Sequence, residues 1–156
     1  MPTPGHSSTS GKRARMTEAP RHSVSVTGVV FNDDGQVLAI ERDDDGRWVP
    51  PGGVLELHED PRDGVVREVF EETGVKVRPG RLVGIYKNMP LGVVSMAIAC
   101  TVESGEPQPS DEAKVARWIS VDEARQRMPE ARLVRVLDAL RDDGPFIRCH
   151  DGTNLV

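Results

Sequence analysis

Apolar residues alternate along the early part of the chain. Val24 and Val26, followed by Val29 and Val30, predict a strand over Ser23 to Asn32. Asp33-Asp34-Gly35 predicts a turn. Val37, Leu38 and Ile40 then predict a second strand over Gln36 to Arg42, placed as the hairpin partner of the first. A second acidic turn, Asp43-Asp44-Asp45-Gly46, carries Arg47 and Trp48 towards a glycine pair. Later extended segments are predicted at Val75 to Val77 and Arg81 to Asn88, split by Pro79-Gly80. Gly92 to Glu103 holds the longest apolar run and predicts a buried strand, and Lys114 to Ile119 predicts a short one ending at Trp118. Ser120-Val121-Asp122-Glu123 has the form of a capping box. Pro129 to Arg141 predicts a final helix with Leu133, Val136, Leu137 and Leu140 facing inward. Little regular structure is expected from Gly144 onward.

Between Asp60 and Gly74 the period becomes helical. Asp60 can cap, Pro61 suits the first helical position, and Asp63 favours the positive end of the helix dipole. Gly74 can take the left-handed conformation that stops the helix after Thr73. Within it, Glu68, Glu71 and Glu72 are spaced i, i+3, i+4 and share a face, while Val66, Val69 and Phe70 are expected to dock on a sheet. Gly64 costs about 1 kcal/mol relative to alanine in a helix interior, and its smallness suits a close approach of the sheet.

Clustered glutamates repel one another by a few tenths of a kcal/mol per pair in water. A bound Mg²⁺ or Mn²⁺ reverses that sign, because hard cations prefer carboxylate oxygens. Arg67 stands i, i+4 to Glu71 and can hold it, Glu59 can reach the cluster from the preceding loop, and Gly52 and Gly53 allow a tight turn that offers a backbone carbonyl. An ordinary solvated acidic helix face is the plain alternative for such a spacing considered by itself.

The whole segment Gly53 to Val75 reads G-x5-E-x7-R-E-U-x-E-E-x-G-U, with U aliphatic. That is the box of the Nudix hydrolases, and the chain resembles this family at every position of it. Trp48-Val49-Pro50-Pro51-Gly52-Gly53 resembles the family's lead-in, and Glu112, six residues before Trp118, resembles its E-x5-W stretch. The resemblance covers about Ser23 to Leu140 and implies an α/β (α+β) fold, a mixed β-sheet sandwiched between helices. It implies cleavage of a nucleoside diphosphate linked to another group, with Mg²⁺ or Mn²⁺ as cofactor. By motif position Glu71 and Glu72 are the principal metal ligands, with Glu59 outside them and Gly52 nearby. Glu68 is a ligand or the base that activates water, Arg67 orients a glutamate, and Glu112 is a further ligand or base. Arg47 and Lys87 are candidate phosphate contacts, and Trp48 and Tyr86 candidate stacking surfaces for a base. Pro90 falls near a proline common in ADP-ribose-cleaving members. Two substrate classes stay open, a nucleoside triphosphate and a nucleoside diphosphate sugar. A Nudix-fold module that senses a nucleotide without cutting it is the other functional class, and the intact acidic positions favour the enzyme. A homodimer is also compatible with the resemblance.

Composition changes this picture little. At 156 residues the chain is long enough for one domain with a real core, expected over residues 23–143 with a C-terminal tail over 144–156. A net charge of −5 gives no electrostatic case for binding nucleic acid. No apolar run approaches a membrane span. Residues 1–22 read as a flexible tail rich in Ser, Thr, Pro and Gly, with a basic knot at Lys12-Arg13-Ala14-Arg15, and Met16 is an alternative start. Cys100 lies in an apolar run, and Cys149-His150 has no partners at metal-ligand spacing, so a reducing cytoplasm is expected.

Overall fold

The computed structural model describes residues 18–156, so the basic knot and Met16 lie outside the described residues. Strand β1 (Ser23–Phe31) is central to an eight-stranded mixed sheet. It runs parallel to β6 (Val93–Ser104) along its whole length, from Ser23↔Val93 to Phe31↔Thr101. Strand β5 (Lys76–Asn88) pairs antiparallel with β6, and β8 (Phe146–His150) pairs parallel with β5. On the other side, β2 (Val37–Arg42) takes β7 (Ala113–Ile119) and the short β3 (Trp48–Val49) as antiparallel partners. Strand β4 (Gly52–Val54) returns antiparallel to β1, at Val26↔Gly53 and Thr27↔Gly52.

Helix α1 (Pro61–Thr73) covers one face over a core of Val26, Val30, Leu38, Val65, Val69 and Ile98. The opposite face carries α2 (Val121–Arg127) and α3 (Glu130–Ala139) over Val29, Ala39, Val83, Ala97, Ala124 and Val136. This is the mixed sheet between helices that the resemblance implied. Successive residues of β1 feed opposite cores, as alternation in a strand requires. Contact with α1 is close because β1 has no side chain at Gly28, where a Cβ would lie 2.6 Å from Val69 Cγ2.

Local signals place the helix ends well. Asp60 accepts the N–H of Arg62 at 2.8 Å, and Gly74 closes α1 with φ of 76°. Ser120 caps α2 through the N–H of Glu123 at 3.0 Å. The Glu123 carboxylate pairs with Arg117 and Arg127, each salt bridge 2.7 Å or less.

Several expectations are corrected. β2 is the antiparallel hairpin partner of β1 as expected, but the two meet only at Phe31↔Val37, and the long partner of β1 lies elsewhere. Because β1 is apolar towards both faces, it is a central strand and takes β6 as its long partner. Pro79-Gly80 does not split β5; the register shifts between Pro79 and Leu82, and the proline is absorbed at a bulge. The segment after Gly144 is not irregular, because the open edge of β5 recruits β8. Its Phe-Ile-Arg-Cys-His sequence has no clean apolar alternation to signal this. Leu140 is 56% exposed, as α3 stops at Ala139. Gly64 makes room for the preceding loop and not for the sheet, since a Cβ there would sit 2.6 Å from Leu55 Cδ1 and 3.0 Å from Glu59 Oε1.

The docking stripe of α1 is also rotated from expectation. Val65 and Val69 are fully buried, Val66 is partly buried, and Phe70 is 55% exposed. The reason is that Glu68 and Glu72 share the buried side, at 8% and 6% exposure. At about 100° per residue, Glu71 points about 100° away from Glu72.

Candidate active site

Glycine geometry seats the carboxylates. The turn between β3 and β4 brings Gly52 against β1 so tightly that a Cβ would strike the Val26 carbonyl. The Gly52 N–H is thereby aimed at Glu72 and donates to Oε1 at 2.7 Å. A side chain at Gly53 would run into the Glu68 carboxylate. Glu112 arrives from the opposite wall, just before β7, where its carbonyl accepts the N–H of Asp43 at 3.0 Å. One carboxylate oxygen from each of Glu68, Glu72 and Glu112 lies within 4.8 Å of the others.

Arg67 organises the rim. It donates to Glu59 through Nε at 2.7 Å and Nη2 at 2.8 Å, to Glu68 through Nη1 at 2.8 Å, and to Glu71 at 3.3 Å. This holds the Glu59 carboxyl down at about 2. The Glu71 carboxylate stays half exposed and reaches Arg67, outside the three-carboxylate cluster.

Burial pushes the Glu72 carboxyl up to about 8, with Glu68 and Glu112 raising it further against the Gly52 hydrogen bond. Glu68 is raised for the same first reason, opposed by Arg67. The cluster is therefore short of positive charge. A hard divalent cation, which takes oxygen ligands and offsets carboxylate repulsion, fits this donor set.

The cluster lines a cleft of 560 Å³ together with Arg42, Asp44 and Asp111. A second cavity of 210 Å³ adjoins it, sharing Arg42, Gly52, Gly53 and Glu72 as lining. The remaining candidates are dispersed. Arg47 donates to the Gly152 carbonyl at 2.9 Å and to Thr153 at 3.0 Å. Trp48 packs on the core with the guanidinium groups of Arg117 and Arg127 at 5.0 and 4.9 Å from its ring centre. Neither lines the two cavities, and nor does Lys87. Tyr86 does line the smaller one, with its ring fully buried and its hydroxyl donating to Asp138 at 2.8 Å. Sequence reasoning missed Arg42, Arg132, Arg135 and His150, all of which line that cavity. They come from β2, α3 and β8; Arg132 and Arg135 are i, i+3 on α3, but no spacing in the chain links them to Arg42 or His150.

Against known proteins, the NUDIX domain matches residues 21–140. A MutT-like protein of Streptomyces ambofaciens is 48% identical over 140 residues, covering 90% of this chain and 91% of that protein. Diphosphoinositol polyphosphate phosphohydrolase 2 of Mus musculus is 36% identical over 81 residues, covering 50% of this chain and 45% of that protein. The crystal structure of an ADP-ribose pyrophosphatase from Streptococcus suis matches with a TM-score of 0.68 at 27% identity, over 83% of this chain and 100% of that chain. Fold, acidic cleft and these matches together define a hydrolase of phosphoric anhydrides. The chain belongs to the Nudix family, as a Nudix-type pyrophosphohydrolase.

Proposed function

We propose that this protein is a divalent-metal-dependent hydrolase that cleaves the diphosphate bond of a nucleoside diphosphate linked to another group. The convergence of Glu68, Glu72 and Glu112 within 4.8 Å is the observation that carries this reading. Glu68 and Glu72 would hold Mg²⁺ or Mn²⁺, with the Gly52 N–H fixing one Glu72 oxygen and Arg67 fixing Glu68. Bound there, such an ion would supply charge neutralisation of the diphosphate.

The chain's own residues supply the rest. Among the described residues no guanidinium pairs with the Glu112 carboxylate, so it is available to accept the proton of an attacking water. Arg67 keeps Glu59 and Glu68 in fixed rotamers, which limits reorganisation during the reaction. Glu71, tethered loosely to Arg67, serves as an outer ligand. Arg42 at the shared rim of both cavities can meet a substrate phosphate. Both a nucleoside triphosphate and a nucleoside diphosphate sugar such as ADP-ribose suit this cleft. The buried Cys100 thiol, which burial pushes up to about 12, and the free Cys149 suit a reducing cytoplasm.

Incubation with a nucleotide panel, with Mg²⁺, with Mn²⁺ and with chelator, tests the reading through released phosphate or nucleoside monophosphate. Metal-dependent turnover of at least one diphosphate compound is expected. Complete inactivity across the panel with metal present would reject it.

A further inference from the structure

The smaller cavity has a cationic floor that the carboxylate cleft does not explain. Arg135 is 2% exposed, yet among the described residues no carboxylate pairs with it. Its Nη1 donates to Thr27 Oγ1 at 2.7 Å and Ser95 Oγ at 3.1 Å, and its Nε has no partner. Arg132, one helical turn earlier on α3, also has a buried Nε without a partner. Among the described residues no carboxylate forms a salt bridge with Arg132, and Asp45, which acts on it from further off, is already paired with Arg42 at 3.7 Å. Unpaired buried charge is costly, and a second, partly buried guanidinium beside it adds to that cost.

His150 sharpens the imbalance. The backbone N–H of Gly152 donates to Nδ1 at 3.0 Å, which leaves the proton of the neutral ring on Nε2. That Nε2 stands 3.3 Å from Arg135 Nη2, and a guanidinium only donates. Two donors therefore face each other, and an acceptor placed between them removes the conflict. Burial, then Arg135 and Arg132, pull the imidazole down to about 4, so it stays neutral at physiological pH.

We propose that Arg132, Arg135 and His150 form a subsite for a phosphoryl group of the substrate other than the two joined by the cleaved anhydride. A phosphoryl head carries up to two negative charges and several acceptor oxygens, matching two guanidinium groups and an imidazole N–H. A nucleobase edge mixes donors with acceptors and would leave both charges unbalanced. The two cavities share Arg42, Gly52, Gly53 and Glu72 as lining residues, so they adjoin and one molecule can reach both. The inference rests on the hydrolase reading and narrows it to substrates with a phosphate beyond the scissile diphosphate.

Two measurements on the full chain test this. In the first, inorganic phosphate is titrated with divalent metal chelated, following the His150 and arginine side-chain ¹⁵N resonances. Saturable shifts at His150 Nε2 and Arg135 Nε are expected, with affinity weakened about 10-fold in Arg132→Gln. Arg132 is the variant of choice because it makes no side-chain hydrogen bond that the fold uses. In the second, matched pairs (ADP with ATP, and ADP-ribose with its 2′-phosphate) are compared in kcat/KM. At least one pair should favour the more phosphorylated member by about 10-fold, and Arg132→Gln should erase that ratio. Absence of phosphate binding in the wild type overturns the subsite. Binding of free phosphate with no preference in any pair overturns its assignment to substrate. Phosphate binding in a protein that hydrolyses nothing supports the subsite while rejecting the hydrolase reading.

Discussion

Helices α1 and α3 lie on opposite faces of one sheet, and both bury charge. On α1 the buried charges are Glu68 and Glu72, and on α3 they are Arg135 and Asp138. Their compensation differs. Asp138 is fully satisfied, by Arg148 through two hydrogen bonds of 2.7 Å and by the Tyr86 hydroxyl at 2.8 Å. Glu72 has a single backbone N–H, and Arg135 has hydroxyl groups and an unpartnered Nε. Charge that the fold itself neutralises is structural. Charge left over, in a cavity, indicates what must enter from outside. By that rule α1 awaits a cation, and α3 awaits an anion through one residue and props the fold through another.

The largest effect should come from the α1 side. Glu72→Gln is expected to lower kcat/KM by at least about 100-fold, since preorganised charge stabilisation is lost. The same change should not destabilise the metal-free protein, because the raised carboxyl is largely protonated at neutral pH and an uncharged amide of the same shape replaces it. Chemical denaturation with chelator present checks this second part. A raised carboxyl binds a proton in the folded state between the ordinary carboxyl value of 4.5 and about 8 that the unfolded chain has already lost. Stability of the metal-free protein should therefore fall as pH rises through that window, and Glu72→Gln should flatten the decline. Metal uptake should release protons over the same range. A pH-independent denaturation midpoint would mean that Glu72 is compensated within the fold.

The α3 side gives two changes of opposite meaning. Arg148→Ala strips Asp138 of its bidentate partner and should cost about 2 kcal/mol, below the range for fully enclosed pairs. The discount follows because the Arg148 side chain is 27% exposed. Arg135→Met removes a charge that has no counterion, and Thr27 and Ser95 can still bond each other at 3.3 Å. Its cost should be no more than about 1 kcal/mol. Urea denaturation of both variants makes the comparison directly. Equal losses would show that Arg135 is as well compensated as Asp138, and the contrast between the two helices would fail.

Legibility in the sequence follows the same division. The residues of α1 and its loop are close in the chain, so spacing alone gave the helix, its cap at Asp60, its stop at Gly74 and the cluster of glutamates. Glu112 was legible only through the resemblance of its E-x5-W stretch to the Nudix family, and the structure brings it to Glu68 and Glu72. Spacing could not show which glutamates turn inward, because Glu68, Glu71 and Glu72 look equivalent on a helix until the sheet fixes its rotation. The cationic floor was illegible for a different reason. Arg135 meets Thr27 and Ser95 at sequence separations of 108 and 40, and those partners exist only once β1 and β6 pair. The stripe of Leu133, Val136 and Leu137 was visible while the buried arginine beside it was not, because propensity cannot distinguish a snorkelling arginine from an enclosed one.

The smallest effect tests the rotation of α1. Sequence spacing put Phe70 on the docking face, whereas the residue is 55% exposed and Val65 and Val69 fill the interface. Removing a large aromatic from a core costs about 3–5 kcal/mol, while a surface substitution stays within about 0.5 kcal/mol. Phe70→Ser should therefore shift stability by no more than about 0.5 kcal/mol and leave turnover intact, as measured by urea denaturation and by the nucleotide assay. A loss of several kcal/mol would put Phe70 in the core. Helix α1 would then be turned so that Glu68 and Glu72 swing away from Glu112, and the site would come apart with it. The least consequential substitution thus reports on the geometry that the most consequential one assumes.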